Sequence, residues 1–125
     1  MITNPEKTLE MAARIQFYHL KDFVRFTESS GELDMERSKE IIRELAIAAG
    51  FHVDHNILID LRGTTVTSNR LSDLLHLAMY MAKYKSLFGN KIANVVPNDD
   101  NRLAVAKEFK SLLDVKGLTY EYFTD

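Results

Sequence analysis

The chain has 125 residues, 16 lysines and arginines against 18 aspartates and glutamates, a formal net charge of −2 at pH 7, and no cysteine. This length fits one domain, and 46% apolar with 27% charged residues is typical of a folded protein with its own core. The lack of cysteine excludes disulfides, thiol nucleophiles and thiolate metal sites. The acidic balance argues against nucleic acid as a partner, because phosphate contacts need a clustered basic face.

Neither a membrane span nor a secretory signal is predicted. The apolar runs around Ile57–Ile59 and Leu45–Ala49 are far shorter than the ~18 residues that a membrane-spanning helix needs. The first ten residues are largely polar and lack the apolar core of a signal peptide. We therefore expect a cytoplasmic protein, with residues 1–13 as an N-terminal arm and residues 14–125 as the domain.

The domain is predicted to open with two strands. Apolar and polar residues alternate from Ile15 to Leu20, and Phe23–Thr27 is rich in residues that favour strands. The short separation of these segments predicts an antiparallel hairpin. Residues 29–32 then break the pattern, and Asp34 is a suitable N-cap for a helix.

Three amphipathic helices are predicted after the hairpin. The first begins at Met35, has a helical stripe of apolar residues, and is expected to end with Gly50 as its C-cap. The second lies between residue 70 and Phe88-Gly89, and the third ends at Lys116-Gly117. The predicted buried positions of the first helix are Ile41, Ile42, Leu45 and Ala49.

Strands alternate with these helices. Ile57–Leu61 is a nearly continuous apolar run, which is typical of a central strand covered on both faces. Lys91–Val96 and Thr119–Phe123 supply the remaining strands. The order β-β-α-β-α-β-α-β predicts an α/β domain with a single open mixed sheet, mostly parallel, with an antiparallel N-terminal edge hairpin.

Two polar segments follow predicted parallel strands. Residues 62–69 follow the central strand, residues 97–101 follow the next, and both lead into helix N-termini. Ligands bind at this edge of open α/β sheets, and the N–H groups of helix N-termini favour anions. Simple capping of the two helices by such residues is the alternative interpretation. The predicted partner-binding or anion-binding residues are Asp60, Arg62, Gly63, Thr64, Thr65, Asn69, Asp99 and Asp100.

The same edge suggests an enzymatic alternative. Asp60, Asp99 and Asp100 would have to cluster to bind Mg²⁺, as in a small phosphate-handling enzyme. No glycine-rich phosphate loop and no nucleophile elbow accompanies them in the sequence. We therefore expect no catalytic residue, no metal and no cofactor.

The second predicted helix has more apolar surface than one buried stripe needs. Leu77, Tyr80 and Tyr84 share a side of the helix that we place away from its buried face. Tyrosine is enriched at the centres of protein interfaces, and a slightly wide core stripe is the alternative. These three residues are therefore the predicted interface, and a homodimer is the predicted assembly.

Several segments carry a family resemblance. Gly31-Glu32-Leu33-Asp34, Ile57–Gly63, Lys91–Val96 and Tyr122–Asp125 resemble the SpoIIAA-like branch of the bacterial STAS domains, which is related to anti-sigma-factor antagonists and is also described as STAS/SEC14-like. The resemblance covers roughly Ile15 to Asp125. It implies a STAS-like fold and a regulatory role.

The resemblance also implies a phosphorylation switch and a protein partner. STAS antagonists carry a phosphorylated serine at the start of the helix after the central strand. Ser68, with Thr67 beside it, occupies that position, although the Asp-Ser-Ser-Gly pattern of the family is missing. This branch usually continues into a further helix after the last strand, so that flank is expected to be either thinly covered or covered by a second copy of the chain.

The leading hypothesis is a non-enzymatic regulatory module that binds a partner protein through residues 62–69 and the second helix. A carrier of a small apolar or anionic ligand is the alternative that the SEC14-like description invites. Its pocket is expected between the sheet and the aromatic residues Phe17, Phe23 and Phe26.

Overall fold

A computed structural model describes residues 15–18, 23–28, 31–51, 55–66, 70–89 and 91–124. The predicted arm, residues 1–13, lies outside the described residues. The elements in chain order are β1 (Ile15–Tyr18), β2 (Phe23–Thr27), β3 (Gly31–Leu33), α1 (Met35–Phe51), β4 (Asn56–Asp60), β5 (Thr64–Val66), α2 (Leu71–Ala82), β6 (Ile92–Val95), α3 (Asp100–Val115) and β7 (Tyr120–Phe123).

The main sheet contains five strands in the order β1-β2-β4-β6-β7. β2, β4, β6 and β7 are parallel, and β1 pairs antiparallel with β2, placing Ile15 opposite Phe26. The predicted α/β class and mostly parallel sheet are confirmed. The apolar run of β4 lies in the middle of the sheet, as its composition indicated.

A second, two-stranded sheet corrects the prediction of a single sheet. β3 and β5 pair in parallel, with Gly31 opposite Thr64 and Leu33 opposite Val66. The sequence pattern placed a break and a polar loop there, because three-residue strands are too short to show alternation. Gly31 adopts a φ of 103°, which glycine tolerates better than other residues.

The described helices all lie on one face of the main sheet, which we call the helix-covered face. Its strand residues include Val24, Phe26, Ile57 and Ile92, each at most 4% exposed. On the opposite face Leu58, Ala93 and Val95 are half-buried, and Phe123 is 50% exposed. The expectation that the central strand is covered on both faces is therefore not met by the described helices.

The helix ends confirm two predicted caps and correct a third. Asp34 caps α1, since its Oδ1 accepts a hydrogen bond from Arg37 N at 2.7 Å. α1 continues through Gly50 to Phe51, so the prediction of Gly50 as a C-cap is wrong. Left-handed glycines in the described residues are Gly31 and Gly117, and Gly117 ends α3 as predicted. Among the described residues, no helix has the length and apolarity to cross a bilayer.

Candidate functional site

The carboxyl ends of the parallel strands meet at one edge of the main sheet. Leu61 N donates to Val95 O at 2.8 Å, and Glu28 N donates to Asp60 O at 3.1 Å. The residues after β4 and those after β6 therefore leave the sheet side by side, where α3 also begins. We call this edge the rim, and it comprises residues 60–65 and 97–100.

Asp60 is the buried charge of the rim. Its Oδ2 lies 2.8 Å from Arg62 Nη2 and 3.1 Å from Arg25 Nη2, and its Oδ1 accepts from Arg62 Nε at 2.9 Å. The side chain of Asp60 is 8% exposed, against 34% for Arg25 and 40% for Arg62. The cluster joins two guanidinium groups to one carboxylate and has a formal charge of +1.

These hydrogen bonds fix the ionisation of Asp60. The hydrogen bonds from the Arg62 side chain, with smaller ones from its backbone and from Arg25, outweigh the desolvation of burial and lower the pKa of Asp60 to about 2. The carboxylate is thus a weak base whose oxygens are already engaged. It is suited to holding the two arginines in place and poorly suited to accepting a proton.

Arg102 joins the rim to α3. Its Nη1 donates to Thr64 O at 2.8 Å and to Thr64 Oγ1 at 3.2 Å, while Thr64 Oγ1 donates to Leu61 O at 2.7 Å. Both residues are buried, and desolvation lowers the pKa of Arg102. Gly63 and Thr65, by contrast, are exposed on the outer side of the rim.

The predicted magnesium cluster does not form. Asp60 is engaged by arginines, Asp99 caps α3 by accepting a hydrogen bond from Arg102 N, and Asp100 is exposed in the first helical turn. In the part of the chain that the structure describes, no three acidic or histidine side chains lie close enough to share a metal ion. The three carboxylates follow strands at the same edge, but Asp60 and Asp99 are engaged by different groups and Asp100 is exposed.

The predicted phosphorylation site lies outside the described residues. Ser68, Thr67 and Asn69 all belong to the segment between Val66 and Arg70, of which the structure describes only the flanking residues. Their roles stay predictions.

The three predicted interface residues pack against the core. Leu77, Tyr80 and Tyr84 are partly buried, and the rings of the two tyrosines meet edge to face with centroids 5.7 Å apart. Lys39 of α1 lies 5.7 Å from the Tyr80 ring centre. Their placement away from the buried face was wrong, because α1 packs beside α2 and widens the covered side of that helix.

A different set of apolar residues is exposed on α2. Leu71, Leu75 and Met79 are 59%, 41% and 52% exposed. They are spaced four residues apart and therefore lie along one side of the helix. We call these three residues the exposed stripe. The excess apolar surface of this helix was visible in the sequence, but its assignment to one side required the packing of α1.

The predicted carrier pocket is not formed by the aromatic residues proposed for it. Phe26 is fully buried on the helix-covered face, and Phe23, three positions away in the same strand, points to the opposite face. Phe17 belongs to β1, and its side chain is not among those that the structure describes. A cavity of about 150 Å³ instead lies between the helix-covered face and the three described helices.

No protein-family model, curated protein or solved structure matches this chain. The STAS resemblance therefore rests on the sequence segments that suggested it.

Proposed function

We propose that the chain is a non-enzymatic, STAS-like interaction module that binds a partner protein through α2 and the rim. The observation that carries this proposal is the exposed stripe, whose three large apolar side chains are 41% to 59% exposed. Grouped apolar side chains at the surface are typical of protein-binding sites, and methionine is enriched in interfaces. The partner is accordingly expected to offer an apolar groove.

The rim adds charge at the edge of the sheet, where Arg25 and Asp60 are in register with Leu58 and Val95 of the face opposite the helices. Leu71 follows Val66 by five positions, so the end of β5 lies within about 18 Å of the start of α2. Arg25 and Arg62 are held by Asp60 and remain about one third exposed. Arginines held in a fixed geometry lose little freedom on binding, which favours an acidic group on a partner that reaches this edge of the sheet.

The chemistry of the rim supports binding over catalysis. The pKa of Asp60 is about 2, so the group neither donates nor accepts a proton near neutral pH. The buried Thr64 hydroxyl donates to a backbone carbonyl and accepts from a guanidinium, and neither of these groups can take its proton to activate it as a nucleophile.

Affinity capture with variants of the exposed stripe tests the proposal. The double variant Leu75→Glu/Met79→Glu places two charges in the stripe without touching a buried residue. We expect the wild-type chain to retain a protein from its native extract. The recovered amount of that protein should fall at least tenfold with the double variant. Quantitative mass spectrometry of the eluates measures this, and sedimentation equilibrium shows whether a second copy of the 14.3 kDa chain is the partner.

Val115→Glu is the matched control, because Val115 is 84% exposed and lies at the far end of α3. It must retain the partner as the wild type does. Equal recovery of every protein by the double variant and by the wild type would refute the proposal. Circular dichroism and thermal unfolding of each variant exclude loss of folding as the cause.

A further inference from the structure

The cavity on the helix-covered face is separate from the surface proposed to bind a partner. Its walls are mostly apolar and include Ile59 of β4, Leu45 of α1, Met81 of α2 and Phe109 of α3. Protein interiors rarely contain voids larger than a water molecule. A volume of about 150 Å³ is that of an apolar cavity able to hold one benzene ring.

One polar atom on the cavity wall lacks a hydrogen-bond partner. Asn94 of β6 is 9% exposed and lines the cavity, and its Nδ2 donates to Tyr120 Oη at 2.7 Å. Its Oδ1 is buried and accepts no hydrogen bond from the described residues. Buried carbonyl oxygens of this kind are normally satisfied, so this oxygen is suited to accept a hydrogen bond from a bound molecule.

The buried Asn94 Oδ1 favours a neutral donor over an anion at its own position on the cavity wall. Arg102 also lines the cavity, and its Nη1 donates to the carbonyl and hydroxyl oxygens of Thr64. The oxygens of a carboxylate beside Asn94 would be repelled by Oδ1, since ionised carboxylates only accept hydrogen bonds and Oδ1 is also an acceptor. A hydroxyl or N–H group would instead donate to it.

The cavity reaches the surface between the first turns of α1 and α2. Asp34 is exposed there, and Met35, Ser38 and Asp73 are half-buried along the same opening. A small molecule can therefore enter beside the helix N-termini and place its polar end at Asn94 on the sheet.

We infer that this cavity binds a small neutral molecule with an apolar body of about one ring and a single hydrogen-bond donor, such as a phenol, with the donor on Asn94 Oδ1. The site does not rest on the proposed partner surface, because the exposed stripe points away from it on the other side of α2.

Titration of the full chain with phenol, toluene and benzoate tests the inference. Phenol and toluene are similar in size and differ in the donor. We expect phenol to bind about tenfold more tightly than toluene, which is the effect of one buried neutral hydrogen bond, and benzoate to bind least. Nitrogen–proton NMR spectra follow the titrations, and the side-chain amide of Asn94 should shift with phenol and not with toluene.

Asn94→Leu is the decisive variant and Asn98→Leu, at an exposed asparagine, its matched control. The first should lose the preference for phenol over toluene, and the second should keep the tenfold preference. If Asn94→Leu does not fold, the Asn94 amide shift in the wild-type chain decides alone. Absence of phenol binding, equal binding of phenol and toluene by the wild type, or stronger binding of benzoate would overturn the inference.

Discussion

The Asp60 carboxylate is stabilised by two arginines, one of which is distant in the sequence. Arg62 lies two residues away, whereas Arg25 lies 35 residues away and reaches Asp60 because β2 pairs with β4. The sequence predicted Asp60 and Arg62 at the strand end. It could not predict that Arg25 and Arg102 bind residues of the rim, because these contacts depend on which strands and helices are neighbours.

The first prediction concerns the pH dependence of folding. The pKa of Asp60 is lowered from 3.8 to about 2 in the folded state, so the folded chain holds this proton less tightly than the unfolded chain. The stabilisation is therefore complete above pH 4 and is lost as the pH falls towards 2. Because both arginines are partly exposed, we expect it to amount to about 1–2 kcal/mol.

Asp60→Asn tests this contribution by urea unfolding. The variant should be about 2 kcal/mol less stable than the wild type at pH 7 and much closer to it at pH 2, where about half of the wild-type carboxyl is protonated. Asp114→Asn, whose side chain is 53% exposed and only 3.5 Å from Lys110 Nζ, should change the stability by less than about 0.5 kcal/mol. A destabilisation by Asp60→Asn that is the same at both pH values would contradict the role assigned to Asp60.

Among the elements, the helices and the longer strands could be predicted from the periodicity of apolar residues. The short strands and the helix ends could not, because they depend on local geometry. The buried stripe of α1 contains Ile41, Ile42, Leu45 and Ala49, as its spacing indicated. β3 and β5 were missed because each has three residues and contains little apolar alternation. The side of α2 that is exposed was misassigned because both of its sides carry apolar residues.

Two glycines near helix ends illustrate why composition alone does not identify a cap. At Gly117 the φ is 83°, Gly117 N donates to Asp114 O, and Leu118 N donates to Leu113 O. This is the hydrogen-bond pattern of a Schellman cap, closed by the buried side chains of Leu113 and Leu118. Gly50 lies within α1 and needs no left-handed conformation.

Substitution of these glycines by alanine should have opposite effects. Gly117→Ala should destabilise the fold by about 1 kcal/mol, because alanine resists positive φ and its Cβ would meet Lys85 Nζ at 2.6 Å. Gly50→Ala should stabilise it by about 0.5–1 kcal/mol, since its Cβ meets only Leu87 Cδ2 at 3.9 Å. Thermal and urea unfolding measure the stability of both variants. A change of the same sign in the two variants would show that the helix-end assignments are wrong.

At the scale of the whole molecule, the described helices form one layer on one face of the sheet. The sequence predicted the α/β class, the mostly parallel sheet and the central position of β4. The cavity beside Asn94 and the clustering of Arg25, Asp60 and Arg62 were not predictable, because each is built from side chains on several elements. Within the layer of helices, α2 separates the cavity from the exposed stripe. One side of α2 forms a wall of the cavity, and another side carries the stripe.

The function proposed for this arrangement depends on α2 meeting a partner protein. A photo-reactive benzophenone amino acid in place of Met79, in chains produced within their native cells, records contacts at that position by covalent capture. The same amino acid in place of Val115 is the control. We predict an adduct with one defined protein from position 79 and none from position 115. No adduct from position 79, or the same adducts from both positions, would contradict the account.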